Sequence, residues 1–526
     1  MTIINESLLF KYFPFKVPNP GQIEAIDRTI AALADITKIK HIVIEAPTGI
    51  GKSAVAYTIH HIMKYIRGKY RTSIITSTKG LQDQYVEEFT DIYNLKGKTN
   101  YGCGLNVGPY RNVECKKAIH TKKCDPMKSC DYLKTRVTWT DESDLRMTNH
   151  SFMIEACPTL VMDNGRMSNL IIIDESHELE ENIVNHSTIK LNCYNYSQFS
   201  EVMKGVEDLI ELIGNQKEEI FNIKYNIDSL ISIVDKRVGW VKQQMATNTE
   251  LISKYNTVSE YLDELIDSLY ILKDDRIKWI RTAYEKEKSV EIKPIRAKYV
   301  SDHALFRKST HFIHMTSTIC GIESYCESLG IDPEECIYIE IDNPIPLENR
   351  KIHYHPLVKV SGNIDYDKLT NGIDVICNHH YNESGIIHTV SFQLANEIYK
   401  RSKNRNRMVV SNDRREIISH LSKKNGIVLS PSLERGFDAK GDLSRFQILS
   451  KVPYGYLGDP FIKYNSKMSN TWYARQAVLR LIQSCGRSVR GVNDYAETYI
   501  LDTNFGRLYN DNKNLFPRWF RDAIVK

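Results

Sequence analysis

The sequence has no long apolar run and no export signal. No stretch approaches the ~20 consecutive apolar residues that a membrane-spanning helix needs. The N-terminal segment MTIINESLLFKYFPF lacks the basic region and the long apolar core of a signal peptide. We therefore expect no membrane partner and a cytoplasmic protein, or a nuclear one if the organism is eukaryotic.

A large surplus of positive charge is also missing. The 526 residues include 70 Lys and Arg and 65 Asp and Glu, which leaves a formal net charge of +5. So small a surplus does not by itself indicate a nucleic-acid partner. Any phosphate-binding surface must therefore be local.

Cysteine usage excludes a disulfide framework. The chain has 11 cysteines, an odd number, in a large protein without an export signal. Random scatter would not place four of them so close together in one short segment. This segment predicts a metal site, and its cysteines are Cys103, Cys115, Cys124 and Cys130.

Proline is absent from residues 159–293. From about residue 185 this stretch has apolar residues at helical spacing, as in VMKGVEDLIELI and VSEYLDELIDSLYIL. The pattern predicts a mostly helical insertion between two regions of short strands.

Short apolar runs before and after this insertion predict strands. Runs this apolar are typical of strands that are buried on both faces of a parallel sheet. The first region has HIVIE (41–45), SIITST (73–78), NLIIIDE (169–175) and HFIHMTST (311–318). The second has GIIHTVSF (385–392), GIVLSPS (426–432) and ETYILD (497–502). The sequence therefore predicts an α/β protein with two lobes, each built on a parallel sheet.

The segment APTGIGKS between the first strand and a predicted helix fits a phosphate-binding P-loop. Backbone N–H groups of such a loop surround phosphate oxygens. Lys52 is placed to reach the β- and γ-phosphates, and the Ser53 hydroxyl to coordinate Mg²⁺. The predicted nucleotide-binding residues of this loop are Ala46, Pro47, Thr48, Gly49, Ile50, Gly51, Lys52 and Ser53.

Two carboxylates at the end of the third apolar run complement the loop. Asp174 can hold Mg²⁺, directly or through water. Glu175 can orient and deprotonate the water that attacks the γ-phosphate. A P-loop together with this pair predicts an ATPase.

The segment QSCGRSVRG near the C-terminus carries two arginines three residues apart. If the segment is helical, Arg487 and Arg490 share one face and can neutralise charge on the transferring phosphoryl group. Gln483 lies one turn earlier and can contact the same nucleotide. The combination predicts a motor of two lobes with ATP between them.

These segments resemble the motifs of the superfamily 2 helicases, specifically the iron–sulfur XPD/DinG group of DNA helicases. Gln22 resembles the adenine-sensing glutamine of these helicases. The segment APTGIGKS resembles motif I, TSTKGLQDQY resembles motif Ia, and DESH (174–177) resembles the DEAH box. MTSTI (315–319) resembles motif III, LERGFDAKGDLSRFQILSKVPY motif V and the segment after it, and QSCGRSVR motif VI. The resemblance implies two RecA-like lobes, a nucleotide contact at Asp438, and coupling residues at His177, Thr316, Ser317 and Thr318.

The four clustered cysteines lie between motif Ia and the DESH segment, where this family carries a 4Fe-4S domain. The resemblance therefore implies that Cys103, Cys115, Cys124 and Cys130 ligate a 4Fe-4S cluster. Their spacing alone fits neither a ferredoxin nor a zinc finger, so a Cys₄ zinc site and four unligated thiols stay open as alternatives.

The resemblance also implies a division of the chain. The predicted parts of lobe 1 are 1–98, 146–184 and 295–345, with the cluster domain at 99–145, a helical arch at 185–294, and lobe 2 at 346–526.

The implied function is an ATP-dependent DNA helicase that uses Mg²⁺ and a 4Fe-4S cluster. Its implied partners are single-stranded and forked DNA, and the family translocates 5′ to 3′, a polarity that spacing and composition do not show. An ATP-driven translocase that leaves the duplex intact is the main alternative. A helicase-like nuclease has no carboxylate or histidine cluster to favour it, and an RNA helicase is disfavoured by the cysteines.

Overall fold

The computed structural model describes most of the chain. Its residues are 6–34, 38–47, 49–106, 115, 118–119, 122–155, 168–192, 203, 220–221, 227–274, 276–284, 289–431, 439, 441–489, 491 and 493–525. Within these ranges no helix is both long and apolar enough to span a lipid bilayer.

The first lobe is built on a seven-stranded parallel sheet. With strands numbered in chain order, it contains β1 His41–Glu45, β2 Thr72–Thr76, β3 Tyr93–Asn94, β4 Leu145–Asn149, β5 Ser168–Asp174, β10 Ser309–Thr316 and β11 Cys336–Glu340. Their order across the sheet is β11-β1-β10-β5-β2-β4-β3. The helices in this part of the chain are Glu6–Tyr12, Pro20–Ala34, Lys52–Arg67, Lys79–Glu88, Pro126–Ser129, Asp131–Val137, His150–Glu155, Leu179–His186 and Ile322–Leu329.

Alternate residues of the central strands enter two separate cores. Val43 and Ile171 pack in one, whereas Ile42 and Ile172 pack in the other. Successive strand side chains point to opposite faces, so a strand covered on both faces must be apolar at nearly every position. This explains why HIVIE, predicted as a strand at 41–45, is the strand β1.

The second lobe repeats the arrangement. Its strands are β12 Ile352–Val358, β13 Gly385–His388, β14 Met408–Val410, β15 Ile427–Ser430, β16 Phe446–Leu449, β17 Glu497–Asp502 and β18 Ile524–Val525, in the order β14-β15-β13-β16-β17-β12-β18. Neighbouring strands of this sheet pair in parallel. Its helices are Tyr366–His379, Phe392–Arg401, Arg414–Leu421, Pro460–Met468, Asn470–Cys485, Asn504–Asp511 and Arg518–Ala523. The predicted α/β fold with two parallel-sheet lobes is confirmed.

The segment between β5 and β10 contains two long consecutive helices, which pack against each other, and a small sheet. The helices are Ile227–Thr247 and Thr249–Leu272. The sheet is antiparallel, with β6 Ile189–Asn192, β7 Ile220–Phe221, β8 Trp279–Tyr284 and β9 Ser289–Pro294 in the order β6-β9-β8-β7. Helical spacing did not reveal this sheet. The predicted helix VMKGVEDLIELI lies outside the described residues apart from Met203.

The run GIIHTVSF was predicted to be strand over 385–392, and this prediction is wrong in its second half. Strand β13 ends at His388, and a helix begins at Phe392. The Ser391 hydroxyl accepts a hydrogen bond from the backbone N–H of Leu394 at 3.2 Å, which caps that helix. The pattern of apolar residues does not indicate where a strand ends and a capped helix begins.

Buried histidines make the fold sensitive to acid. His60, on the helix Lys52–Arg67, lies 2.9 Å from the Thr72 hydroxyl, and burial lowers the pKa of His60 to about 3. Between pH 6.5 and 3 the unfolded chain therefore binds one proton more than the folded chain at this position. The free energy of unfolding falls as the pH falls through that window, by about 1.4 kcal/mol per pH unit for this group.

We expect His60→Gln to reduce that pH dependence, because glutamine can bond Thr72 without titrating. Urea unfolding between pH 7 and 4 measures it, with the exposed His355→Gln as control. An unchanged slope in His60→Gln would contradict the assignment.

Candidate active site

The P-loop connects β1 to the helix Lys52–Arg67. Gly49 and Gly51 adopt left-handed φ angles of 83° and 78°, a region that L side chains rarely occupy. A Cβ atom on Gly51 would lie 2.6 Å from Nε2 of Gln22. Both glycines are thus required by the shape of the loop, which leads into the positive end of a helix dipole. Thr48 lies outside the described residues.

Gln22 is buried against the loop. Its Nε2 donates to the Gly51 carbonyl at 3.3 Å. Asn19 and Gln22 also exchange backbone-to-side-chain hydrogen bonds of 2.9 Å each, and Asn19 Nδ2 donates to the Ile50 carbonyl at 3.3 Å. Sequence reasoning missed Asn19. Its position three residues before Gln22, as in a capping box, was the available signal.

Lys52 and Ser53 are held by protein groups. Lys52 Nζ donates to the carbonyls of Ala46 at 3.2 Å and Pro47 at 3.5 Å, so it folds back over the loop. The Ser53 hydroxyl donates to Oε2 of Glu88 at 3.0 Å. Lys52 therefore bonds the loop itself and Ser53 bonds the helix Lys79–Glu88, and each would exchange its protein partner for a ligand.

Asp174 lies at the carboxyl end of β5, close to this loop. Its Oδ2 accepts a hydrogen bond from the Tyr85 hydroxyl and its Oδ1 one from the backbone N–H of Glu175, both at 3.0 Å. Burial and, next, the charge of the neighbouring Glu175 raise the pKa of Asp174 to about 6, against the opposing effect of the Lys52 ammonium. The charge of Lys52 acts on Asp174, so the predicted magnesium ligand and the loop lysine lie in the same part of the fold. Sequence reasoning missed Tyr85, which carries no motif.

Glu175 has a left-handed backbone, with φ of 53°. This conformation is costly for a residue with a Cβ and is often found at functional sites. It places a Glu175 carboxylate oxygen 3.3 Å from Nδ1 of His177. The same Nδ1 lies 2.8 Å from the Thr316 hydroxyl at the end of β10. The DESH segment and the MTST segment are therefore in direct contact.

Thr316 also touches the P-loop. Its carbonyl accepts a hydrogen bond from the backbone N–H of Ala46 at 2.8 Å, and its hydroxyl donates to the Thr318 carbonyl at 3.1 Å. Thr318 is buried and Ser317 half-buried beside it. Two of the predicted coupling residues, His177 and Thr316, thus connect the DESH segment to the start of the loop.

The second lobe brings Arg487 to the same cleft. Its positive charge contributes to the lowered pKa of His177, for which burial is the largest cause. A cavity of about 40 Å³ reaches from Pro47 to Gly486, next to Arg487. Gln483 is half-buried near the end of the helix Asn470–Cys485. Arg490 and Asp438 lie outside the described residues.

A buried ion pair joins the lobes beside this cleft. Nη1 of Arg475 lies 2.8 Å from Oε2 of Glu180, and Nε1 of Trp472 donates to Oε1 of the same carboxylate at 2.8 Å. Nε of Arg475 donates to the Ile319 carbonyl at 3.0 Å. Arg475 is fully buried. Sequence reasoning missed this contact, because its members are far apart in the chain.

The four clustered cysteines lie near one another. The backbones of Cys103 and Cys130 pair in an isolated antiparallel β-bridge. All four cysteines are free of disulfide bonds; Cys103 is half-buried and the others are buried. Burial raises the pKa of the Cys124 thiol, and the charges of Cys115, Cys103 and Cys130 raise it further. The fold therefore gathers the predicted ligands around Cys124.

Two family models match the chain. One, described as a helicase C-terminal domain, matches residues 375–523. The other, described as the res subunit of type III restriction enzymes, matches residues 15–205. A probable ATP-dependent helicase of Methanocaldococcus jannaschii is 24% identical over 339 residues, which are 58% of this chain and 50% of that protein. The chain thus spans about half the length of this relative. Each model matches one lobe, with the P-loop in the lobe matched by the second model and Arg487 in the lobe matched by the first.

Solved structures also resemble this chain. An XPD helicase structure superposes with a TM-score of 0.64 at 15% identity, covering 97% of this chain and 100% of that one. The structure of S. tokodaii Xpd4 gives 0.58 at 13% identity, covering 97% and 100%. This likeness covers nearly the whole chain and concerns the fold, which has the two lobes of these helicase structures.

Proposed function

We propose that this chain hydrolyses ATP to move 5′ to 3′ along single-stranded DNA and to separate the strands of a forked duplex. The observation that carries the proposal is the convergence of Lys52, Asp174 and Arg487 on one cleft between the lobes. The polarity and the DNA substrate rest on the likeness to the XPD/DinG group.

The residues of the cleft suit each step of hydrolysis. Lys52 would leave the carbonyls of Ala46 and Pro47 to bind the β- and γ-phosphates. Ser53 and Asp174 would hold Mg²⁺, which neutralises phosphate charge when bound. Glu175 would orient the attacking water and accept its proton. Arg487, from the other lobe, would stabilise charge on the transferring phosphoryl group.

The path from His177 through Thr316 to Ala46 would report the state of the nucleotide to the sheet. A change at the γ-phosphate alters what Glu175 and His177 contact, and Thr316 is bonded to both the histidine and the loop. Closing and opening of the lobes would then move them along the strand, which they grip through the phosphate backbone without reading bases.

The cysteine segment fits an iron–sulfur cluster better than one zinc ion. Four sulfurs about 2.3 Å from a single zinc ion lie about 3.8 Å apart. No three cysteine sulfurs in the described part of the chain lie within 4.8 Å of one another. A multi-iron cluster spaces its ligands more widely, so these four residues would hold one and brace the domain that meets the duplex.

Unwinding assays test the function. We expect ATP-dependent release of a labelled strand from a fork with a 5′ single-stranded tail and none from a duplex with only a 3′ tail. ATP hydrolysis stimulated by single strands with the fork left intact would instead identify a translocase that does not separate strands.

Replacing Cys130 by Ser tests the cluster. We expect the iron content to fall from about four atoms per chain to near zero, with loss of strand separation and retention of part of the ATPase activity. The matched control is Cys377→Ser, a buried free cysteine in lobe 2. Iron analysis of protein purified without oxygen is the measurement. Equal iron in Cys130→Ser and wild type would contradict the assignment.

A further inference from the structure

A second group of metal-binding side chains lies in lobe 2. It is placed where β12 and β17 begin and where the helix Tyr366–His379 ends. A cavity of about 370 Å³ opens there, and its lining includes His379, His380, Glu383 and Glu497. None of the residues that line this cavity belongs to the candidate active site.

The donor atoms surround one carboxylate. Oε2 of Glu497 lies 3.7 Å from Nε2 of His380 and 3.6 Å from Nε2 of His353. One ligand atom from each of His379, His380 and Glu497 lies within 4.8 Å of the other two. Ligands about 2.05 Å from a tetrahedral zinc ion are about 3.4 Å apart. Small side-chain movements would therefore bring these atoms to coordination distance.

Neighbouring groups orient the donors. Nδ1 of His380 lies 2.6 Å from Oε2 of Glu383, the carboxylate–histidine arrangement that orients metal-binding imidazoles. The Tyr499 hydroxyl donates to Oε2 of Glu497 and lies 3.0 Å from Nε2 of His380. His380 is thus aimed at Glu497 by a second carboxylate.

His353 provides an independent indication. Its Nε2 is buried and has no hydrogen-bond partner within the described part of the chain. A buried ring nitrogen without a partner is unfavourable. The nearby acceptor, Oε2 of Glu497, lies 3.6 Å away, which is beyond hydrogen-bond distance, and it also accepts a bond from Tyr499. A cation between the three imidazoles and Glu497 would satisfy all four groups together.

The donor set selects the kind of ion. Imidazole nitrogens with a single carboxylate suit zinc and the neighbouring transition metals, whereas Mg²⁺ and Ca²⁺ prefer sites made of oxygen atoms. We propose that lobe 2 binds one divalent transition-metal ion through His353, His379, His380 and Glu497, with Glu383 orienting His380. Four protein ligands make a closed, structural site.

The site would fasten elements that are distant in the sequence. His353 and Glu497 are on adjacent parallel strands, and His379 and His380 end a helix. The backbone N–H of Ala496, next to Glu497, donates to the Asn349 carbonyl in the segment that joins the two lobes. The metal would therefore stiffen lobe 2 where the connection from lobe 1 enters it.

Titration with Co²⁺ tests the proposal on the full-length protein with its iron retained. We expect one equivalent to bind with the visible bands of nitrogen and oxygen ligands and without thiolate charge-transfer bands, and Zn²⁺ to displace it. His379→Ala and Glu497→Gln should each weaken binding at least about tenfold. His355→Ala is the matched control, because this exposed histidine stacks on His353 with ring centroids 6.1 Å apart and is not a ligand.

Unchanged Co²⁺ binding in both ligand variants, or wild-type binding with thiolate bands only, would overturn the proposal. A second measurement on the wild-type protein needs no variant. Zn²⁺ should slow the modification of His379 by diethyl pyrocarbonate, mapped by mass spectrometry, and leave that of His355 unchanged. Equal rates for His379 with and without Zn²⁺ would also overturn it.

Discussion

Replacement of Glu175 by Gln is expected to lower kcat for ATP hydrolysis by roughly 10²- to 10⁴-fold. Glutamine keeps the size of the side chain and the left-handed turn, but it cannot accept the proton of the attacking water. Lys52→Ala should abolish turnover as well, because the phosphates lose their cation. Steady-state hydrolysis with saturating single-stranded DNA measures both effects.

The control for this experiment is Glu181→Gln. Glu181 is an exposed carboxylate on the helix that follows the DESH segment, and its replacement should leave turnover unchanged. A fluorescent ATP analogue separates binding from chemistry, since Glu175→Gln should still bind it. Wild-type hydrolysis in both Lys52→Ala and Glu175→Gln would end the assignment of this cleft as an ATPase site.

Arg475→Leu is expected to reduce the free energy of unfolding by about 3–5 kcal/mol. The substitution leaves the Glu180 carboxylate buried between the lobes without its cation, and it removes the bond to the Ile319 carbonyl. Removing both charges should cost less than removing one, because no unpaired charge then stays buried. The double variant Arg475→Leu/Glu180→Leu should therefore recover part of the unfolding free energy that Arg475→Leu loses.

Urea unfolding of the wild type, both single variants and the double variant forms a double-mutant cycle, which gives the interaction free energy of Arg475 and Glu180. Arg518→Leu serves as a control, because Arg518 is an exposed arginine of the same lobe. A double variant less stable than either single variant would show that Arg475 and Glu180 act separately.

The sequence predicts the fold best where strands are buried on both faces. Their apolar runs are continuous, so β1 and β17 have their predicted bounds. The antiparallel sheet of the insertion escaped prediction for a physical reason. Strand β6 pairs with β9, which lies about a hundred residues later, and a short strand has no local signal that names so distant a partner.

The residues of the candidate site also fall into those that local sequence predicts and those that it does not. Lys52, Ser53, Asp174 and Glu175 were predictable, because a P-loop and an acidic strand end impose fixed local spacing. Tyr85 bonds Asp174 across 89 positions, and the Glu180–Arg475 pair spans 295. Only the packed structure reveals such partners, since no spacing rule connects them.

The internal bonds of the P-loop bear on how quickly the site empties. When ADP leaves, the Lys52 ammonium does not lose all its hydrogen-bond partners, because it can bond the carbonyls of Ala46 and Pro47. Glu88 can likewise receive the Ser53 hydroxyl. These substitutes lower the cost of giving up ADP. In the proposed ATPase, such a loop would favour rapid release of product, a step that often limits the rate of enzymes.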